Sequence, residues 1–246
     1  MIALSKTWPL LAGVAVLGIL AGASSLLPGQ EPVTVTAQLR RPAPKGEDKA
    51  RRDDRQPSAA IWLTALHATA APAPAPGLTY TLLQKNKTFS PHLLIVPVGS
   101  VVQFPNADPF FHNVFSLFDG RRFDLGLYEA GSTKTVTFGR EGISYIFCNI
   151  HPEMSAVVIA LATNYYAVED VREHFQIHDV PPGEYMLHIW VQGEDQPVLD
   201  ALAHRVQISA DHADLGVLTL PQAPRVAPSH PNKFGRPYDD HERPIY

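Results

Sequence analysis

Cys148, His151 and Met154 stand at spacings of three and three in the run Cys148-Asn149-Ile150-His151-Pro152-Glu153-Met154, and His112 lies upstream in the run PFFHNVF. Cys148 is the only cysteine of 246 residues, so no internal disulfide can form. One thiolate, two imidazoles and a thioether make up the donor set of trigonal His2Cys copper sites with a weak axial Met. Thiolate and thioether favour Cu(I) and imidazole accepts Cu(II), so a site of these four rearranges little when an electron arrives. It also leaves no open position for a substrate. Taken singly, each residue has a plainer role: a buried cysteine as a small hydrophobe, a histidine on the surface, a methionine as core filler. Their joint occurrence at this spacing points to a metal site. Soft sulfur ligands also suit zinc, which stays open as the second metal.

Strands must deliver these residues to one place. Cys148 ends the apolar run GISYIF, and the next apolar run begins at Ala156, which puts three candidate ligands on one short loop. His112 follows the strand signal Val101 to Phe104 and the turn residues Pro105, Asn106, Asp108 and Pro109, so it is expected on a neighbouring loop at the same end. Asn113 is expected to hydrogen-bond across to the cysteine loop and fix both. Phe110, Phe111, Ile150 and Pro152 flank the ligands, either as ordinary core or as an apolar collar around a nearly exposed His151 where a redox partner docks.

Strand signals recur along the chain: Val33 to Thr36, Ala59 to Leu66, His92 to Val98, Val101 to Phe104, Thr133 to Phe138, Ile143 to Cys148, Ala156 to Leu161, Tyr165 to Val168, His174 to Ile177, Glu184 to Val191, Arg205 to Ile208 and Leu215 to Leu220. In STKTVTF, Val136 and Phe138 fall on one face and Thr133, Thr135 and Thr137 on the other, the period of a half-buried strand. With 23 prolines and only 18% charged residues, long surface helices are disfavoured and an all-β chain of two small sandwiches is expected.

Residues 78–163 resemble a cupredoxin, the plastocyanin and amicyanin type of blue copper protein, through KNKTFSPHLLIVPVGSVVQFPNADPFFHNVF and GREGISYIFCNIHPEM. The resemblance implies a Greek-key β-sandwich, copper as cofactor, His112, Cys148, His151 and Met154 as its ligands, and Asn113 as the loop clamp. It also implies single-electron transfer with no enzymatic activity, to a redox partner such as a c-type cytochrome or a periplasmic dehydrogenase. A copper storage, sensing or delivery protein would use the same ligands, and a structural module with an unused site is the remaining alternative.

The run DVPPGEYMLHIW resembles the carboxypeptidase-regulatory-like or transthyretin-like sandwich, an Ig-like fold in which a proline-glycine turn launches an alternating strand. VTVTAQL and AAIWLTAL look like its opening strands. The second module is then discontinuous, residues 33–70 and 164–220, with the copper domain inserted; alternatively, residues 33–70 extend the cupredoxin sheet. The combination resembles methylamine-utilisation-type proteins. This module carries no catalytic signature, and is expected to position the copper domain or contact a partner.

Other constellations are weaker. His174 and His178 sit four apart in a strand, where they are about 13 Å apart and cannot share an ion. His92 and His188 are expected on the surface. No nucleophile elbow, phosphate loop or His-Glu-x-x-His motif occurs. Twenty Lys plus Arg against 24 Asp plus Glu give no electrostatic footprint for nucleic acid.

At the amino terminus, Lys6 precedes an apolar run from Trp8 to Ala21, followed by Ala21-Gly22-Ala23, which reads as a signal peptide over residues 1–23 and a periplasmic destination. Uncleaved, the same stretch would anchor the chain in a membrane. Arg40 to Gln56 reads as a solvated charged loop, Ala71 to Gly77 as a proline-alanine spacer, and residues 221–246 as a loosely ordered proline-rich tail.

Overall fold

The threonine-rich run behaves as its alternation dictates: Val136 and Phe138 are buried while Thr133, Thr135 and Thr137 face solvent. The computed structural model describes residues 31–42, 58–67, 77–117, 120–221, 232–234 and 236. The expected signal peptide, most of the charged loop and spacer, and most of the tail lie outside the described residues. Among the described residues, no helix is long and apolar enough to cross a membrane.

Among the described residues the fold is all-β, apart from one short helix. In order, the strands are β1 (Val33–Arg40), β2 (Ala59–Ala65), β3 (Thr79–Thr81), β4 (Leu83–Lys85), β5 (Thr88–Ser90), β6 (Leu93–Pro97), β7 (Ser100–Pro105), β8 (His112–Ser116) and β9 (Phe123–Tyr128). They continue with β10 (Thr133–Phe138), β11 (Gly142–Cys148), β12 (Ser155–Leu161), β13 (Tyr166–Val168), β14 (His174–Val180) and β15 (Gly183–Val191). Helix α1 (Gln196–Leu202), β16 (His204–Ile208) and β17 (Asp214–Thr219) follow among the described residues.

Two larger sheets make the half that holds His112 and Cys148, one in the order β6-β12-β11-β8-β9 and one in the order β10-β7-β3; β4 and β5 form a separate hairpin. The other half also has two sheets, β14-β1-β17 and β13-β2-β15-β16. Among the described residues, β1 and β2 pair with strands from residues 166–219 and with no strand of the half that holds Cys148. The turn before Gly183 does launch β15, but β14 and β15 belong to different sheets, so the chain crosses the sandwich there rather than closing a hairpin.

One strand explains why the halves are fused. In β12, SAVVIAL, every residue after Ser155 is buried, an apolar run without alternation. Ala156, Val158 and Ala160 join a core with Phe104, Val114, Ile146, Cys148 and Met154. Val157, Ile159 and Leu161 face the opposite way, into a core shared with Ile61, Leu63, Ile189 and Trp190. Across this junction the Trp190 indole N–H donates to the Tyr145 hydroxyl at 3.2 Å.

Three expectations need correction. His112 opens strand β8 rather than sitting on a loop; all five β8 residues are buried, so tertiary burial overrides the polar look of HNVFS. His188 is half-buried and stacked on Trp62 at 5.2 Å, and His92 is half-buried with Nδ1 3.2 Å from the Ser155 carbonyl. Arg41, placed in the solvated loop by its neighbours' charges, is a buried ion-pair residue with a side chain only 6% exposed.

Candidate metal centre

Strand pleat and register bring the donors together. β11 and β8 run antiparallel with Cys148 opposite Val114. His112 is two residues from Val114 and so projects from the same face, the face that Cys148 shares with Ile146. The loop from Cys148 to Met154 is closed by two backbone hydrogen bonds, Cys148 N–H to the Met154 carbonyl at 3.1 Å and Met154 N–H to the His151 carbonyl at 3.0 Å. This folds His151 back over the cysteine and drives Met154 wholly into the core.

His112 Nδ1 lies 3.6 Å and His151 Nδ1 3.5 Å from the Cys148 sulfur. The donor atoms of these three residues all lie within 4.8 Å of one another. His112 and Cys148 are buried and His151 is half-exposed, so one imidazole edge reaches the surface. Met154 shares the core of Cys148. Met154 stands at the far end of the same loop.

Asp108 decides which nitrogen of His112 is available. Its Oδ2 accepts from His112 Nε2 at 2.9 Å, which places the ring proton on Nε2 and leaves the Nδ1 lone pair aimed at the sulfur. The carboxylate is in turn held by the backbone N–H groups of Asn86 at 2.6 Å and Lys87 at 3.0 Å. Both residues have positive φ, 55° and 56°, the two-residue turn that joins β4 to β5. A lysine in this left-handed region is strained by roughly 1 kcal/mol or more, and the two amides it turns inward bond the carboxylate that orients His112. Burial works to raise the Asp108 carboxyl, but the Lys87 amide, His112 and the Asn86 amide outweigh it and hold it below the ordinary range.

Burial pushes the Cys148 thiol up, partly opposed by backbone N–H groups of Asn113, Ile150 and His151 that bond the sulfur. Burial first, then electrostatic interaction with His112 and with the Lys87 ammonium, pushes His151 down to about 4, against a weaker pull from Asp108. His151 is accordingly neutral near pH 7, with a lone pair to give. A cation at the centre of these donors would replace the thiol proton and draw the lone pairs together, so the residues fit a soft, thiophilic metal.

Phe110 packs over both imidazoles, its ring centre 5.3 Å from that of His112 and 5.6 Å from that of His151. Lys87 Nζ sits 5.5 Å from the Phe110 ring centre. Of the expected collar, Phe110 and Ile150 are half-buried, while Phe111, at 54%, and Pro152 are exposed. Asn113 departs from expectation: its side chain donates to Asp124 at 2.6 Å, and only its backbone N–H reaches the cysteine. Asp108 was legible in the sequence only as a turn residue, and Asp124 carried no signal of its own; the sole clue to Asp108 was a carboxylate four residues before a candidate ligand.

No family model matches the chain, and no curated protein matches it. Among solved structures it is similar to a purple cupredoxin from Nitrosopumilus maritimus, at 24% identity and a TM-score of 0.31 over 34% of this chain and 99% of that one. A copper-containing nitrite reductase from Thermus scotoductus is 24% identical with a TM-score of 0.33, covering 51% of this chain and 28% of that one. A reduced amicyanin variant is 20% identical with a TM-score of 0.31, over 42% of this chain and 99% of that one. Each similarity covers part of the chain, and the functional reading rests on the side chains.

Proposed function

We propose that this chain is an exported, periplasmic blue copper protein that passes single electrons between redox partners. The supporting observation is the convergence of His112 Nδ1 and His151 Nδ1 on the Cys148 sulfur, with Met154 buried in the same core. Copper held there supplies a one-electron Cu(I)/Cu(II) couple. His112, Cys148 and His151 hold it, and Met154 is the fourth, weaker ligand. Asp108 keeps His112 in the ligating tautomer, and the amides around Cys148 stabilise its thiolate. The half-exposed edge of His151, flanked by Phe110, Phe111, Ile150 and Pro152, is the port through which electrons pass to a docked partner such as a c-type cytochrome or a periplasmic dehydrogenase. The second, discontinuous sandwich, of carboxypeptidase-regulatory-like or transthyretin-like type, carries this copper domain as an insertion.

Adding Cu(II) to the purified metal-free protein tests the reading. The expected result is an intense thiolate-to-copper charge-transfer colour that bleaches on reduction and returns on oxidation, and that is lost in Cys148→Ser. No colour in the native protein overturns the reading; colour lost rapidly to a chelator turns it into copper delivery.

A further inference from the structure

Two ligand-bearing segments are tied to each other from outside the metal cluster. Asn149, the residue after Cys148, accepts the backbone N–H of Lys233 on its side-chain oxygen at 2.9 Å, across 84 residues of chain. Lys233 Nζ lies 3.0 Å from Asp124 Oδ2 on the edge strand β9. Asp124 Oδ1 accepts from the side chain of Asn113, the residue after His112, at 2.6 Å. The segment that brings Lys233 is itself folded locally: Asn232 Oδ1 accepts the N–H groups of Phe234 at 3.0 Å and Arg236 at 3.1 Å, and the Asn232 N–H donates to the Arg236 carbonyl at 2.8 Å. A solvated tail has no need of such a turn. One lysine thus joins, through its backbone and its ammonium, the residues that follow the two buried ligands.

We propose that Lys233, Asn149, Asp124 and Asn113 form a clamp through which the C-terminal segment holds the Cys148–Met154 loop against strand β8 and fixes the spacing of Cys148 and His112. These are positioning residues; none is itself a ligand. Each link is a short polar contact at a partly exposed site: the Lys233 side chain is 25% and that of Asp124 43% exposed. The clamp therefore adds little to global stability, and its effect falls on the loop. This inference rests on the copper reading only for its consequence, since the clamp is present without metal.

The test uses the full chain. Amide hydrogen exchange of the metal-free protein over residues 149–154 should accelerate about tenfold in Asn149→Ala, the scale of one hydrogen bond lost, and less in Lys233→Ala, which keeps the backbone N–H. Asn149→Asp, which still accepts that N–H, should restore native exchange. In the copper-loaded protein the same Ala variants should shift the reduction potential and release copper several-fold faster to a chelator, with an unchanged unfolding midpoint. Native exchange and native potential in Asn149→Ala overturn the clamp. So does a fall in the unfolding midpoint that accounts for the faster exchange. If no variant takes up copper, the copper reading fails while the exchange data still judge the clamp.

Discussion

Two clusters of buried polar side chains, one in each half of the molecule, are built on opposite plans. In the far sandwich, Arg41 donates to Glu173 at 2.9 Å, to Glu169 at 2.6 Å and to the Ser58 hydroxyl at 3.1 Å, while Glu169 also accepts the backbone and hydroxyl protons of Ser58. Three chain segments meet there, flanking β1, β2, β13 and β14, and one guanidinium faces both carboxylates. At the Cys148 end, Asp108 takes up one nitrogen of His112 and the other nitrogen faces the Cys148 sulfur, as does a nitrogen of His151. The first cluster spends its hydrogen-bonding capacity on itself. The second orients its lone pairs toward one point. That difference, not burial or charge, separates a structural knot from a ligand set.

The largest effect expected is on the structural cluster. Arg41→Ala leaves Glu169 buried without its partner and should cost about 3 kcal/mol of unfolding free energy, read by urea denaturation of the metal-free protein, with copper uptake unchanged in whatever fraction stays folded. Loss of copper uptake from the folded fraction would break the comparison. Next, Asp108→Asn cannot accept from two amides and His112 at once, and should weaken copper binding about 10- to 100-fold, measured by chelator competition; native affinity would show that Asp108 belongs with the structural cluster.

Smaller and graded is the response to acid. Burial lowers His92 and His188 below their ordinary value of 6.5, with weaker opposition from Ser155 and Gln192 for the first and from Glu141 and Asp200 for the second. The folded protein then binds fewer protons than the unfolded chain. The stability these histidines retain above 6.5 declines as pH falls toward their lowered values. Denaturation midpoints of metal-free Cys148→Ser at pH 7.5 and at pH 5, compared with a variant carrying His92→Gln and His188→Gln, check this; equal pH slopes would refute it. Smallest is Met154→Leu, which should keep the colour and move only the reduction potential. A colourless product would promote Met154 from weak to essential ligand.

Much of this was written in the sequence because strands and short loops encode locally. The strand signals at Val33, Ala59, Thr133, Ile143, Ala156, Glu184 and Leu215 all fall within observed strands, and the Cys148–Met154 spacing defines a loop whose closure needs only its neighbours. What escaped was non-local. β8 has too few apolar residues to announce itself, and becomes a strand because β11 and β9 flank it. Short β3, β4 and β5, three residues each, lack a periodic run of their own. Arg41 looked solvated because its partners, Glu169 and Glu173, lie more than a hundred residues away; Asn113 looked like a clamp on the cysteine because nothing in the sequence shows that Asp124 is nearer.

Strand β12 gives one side to each core, Val158 to one and Ile159 to the other. Neither half can loosen without exposing the back of that wall. The two sandwiches should accordingly melt as a single event, and a metal seated beside Cys148 should protect amides as remote as those of β2.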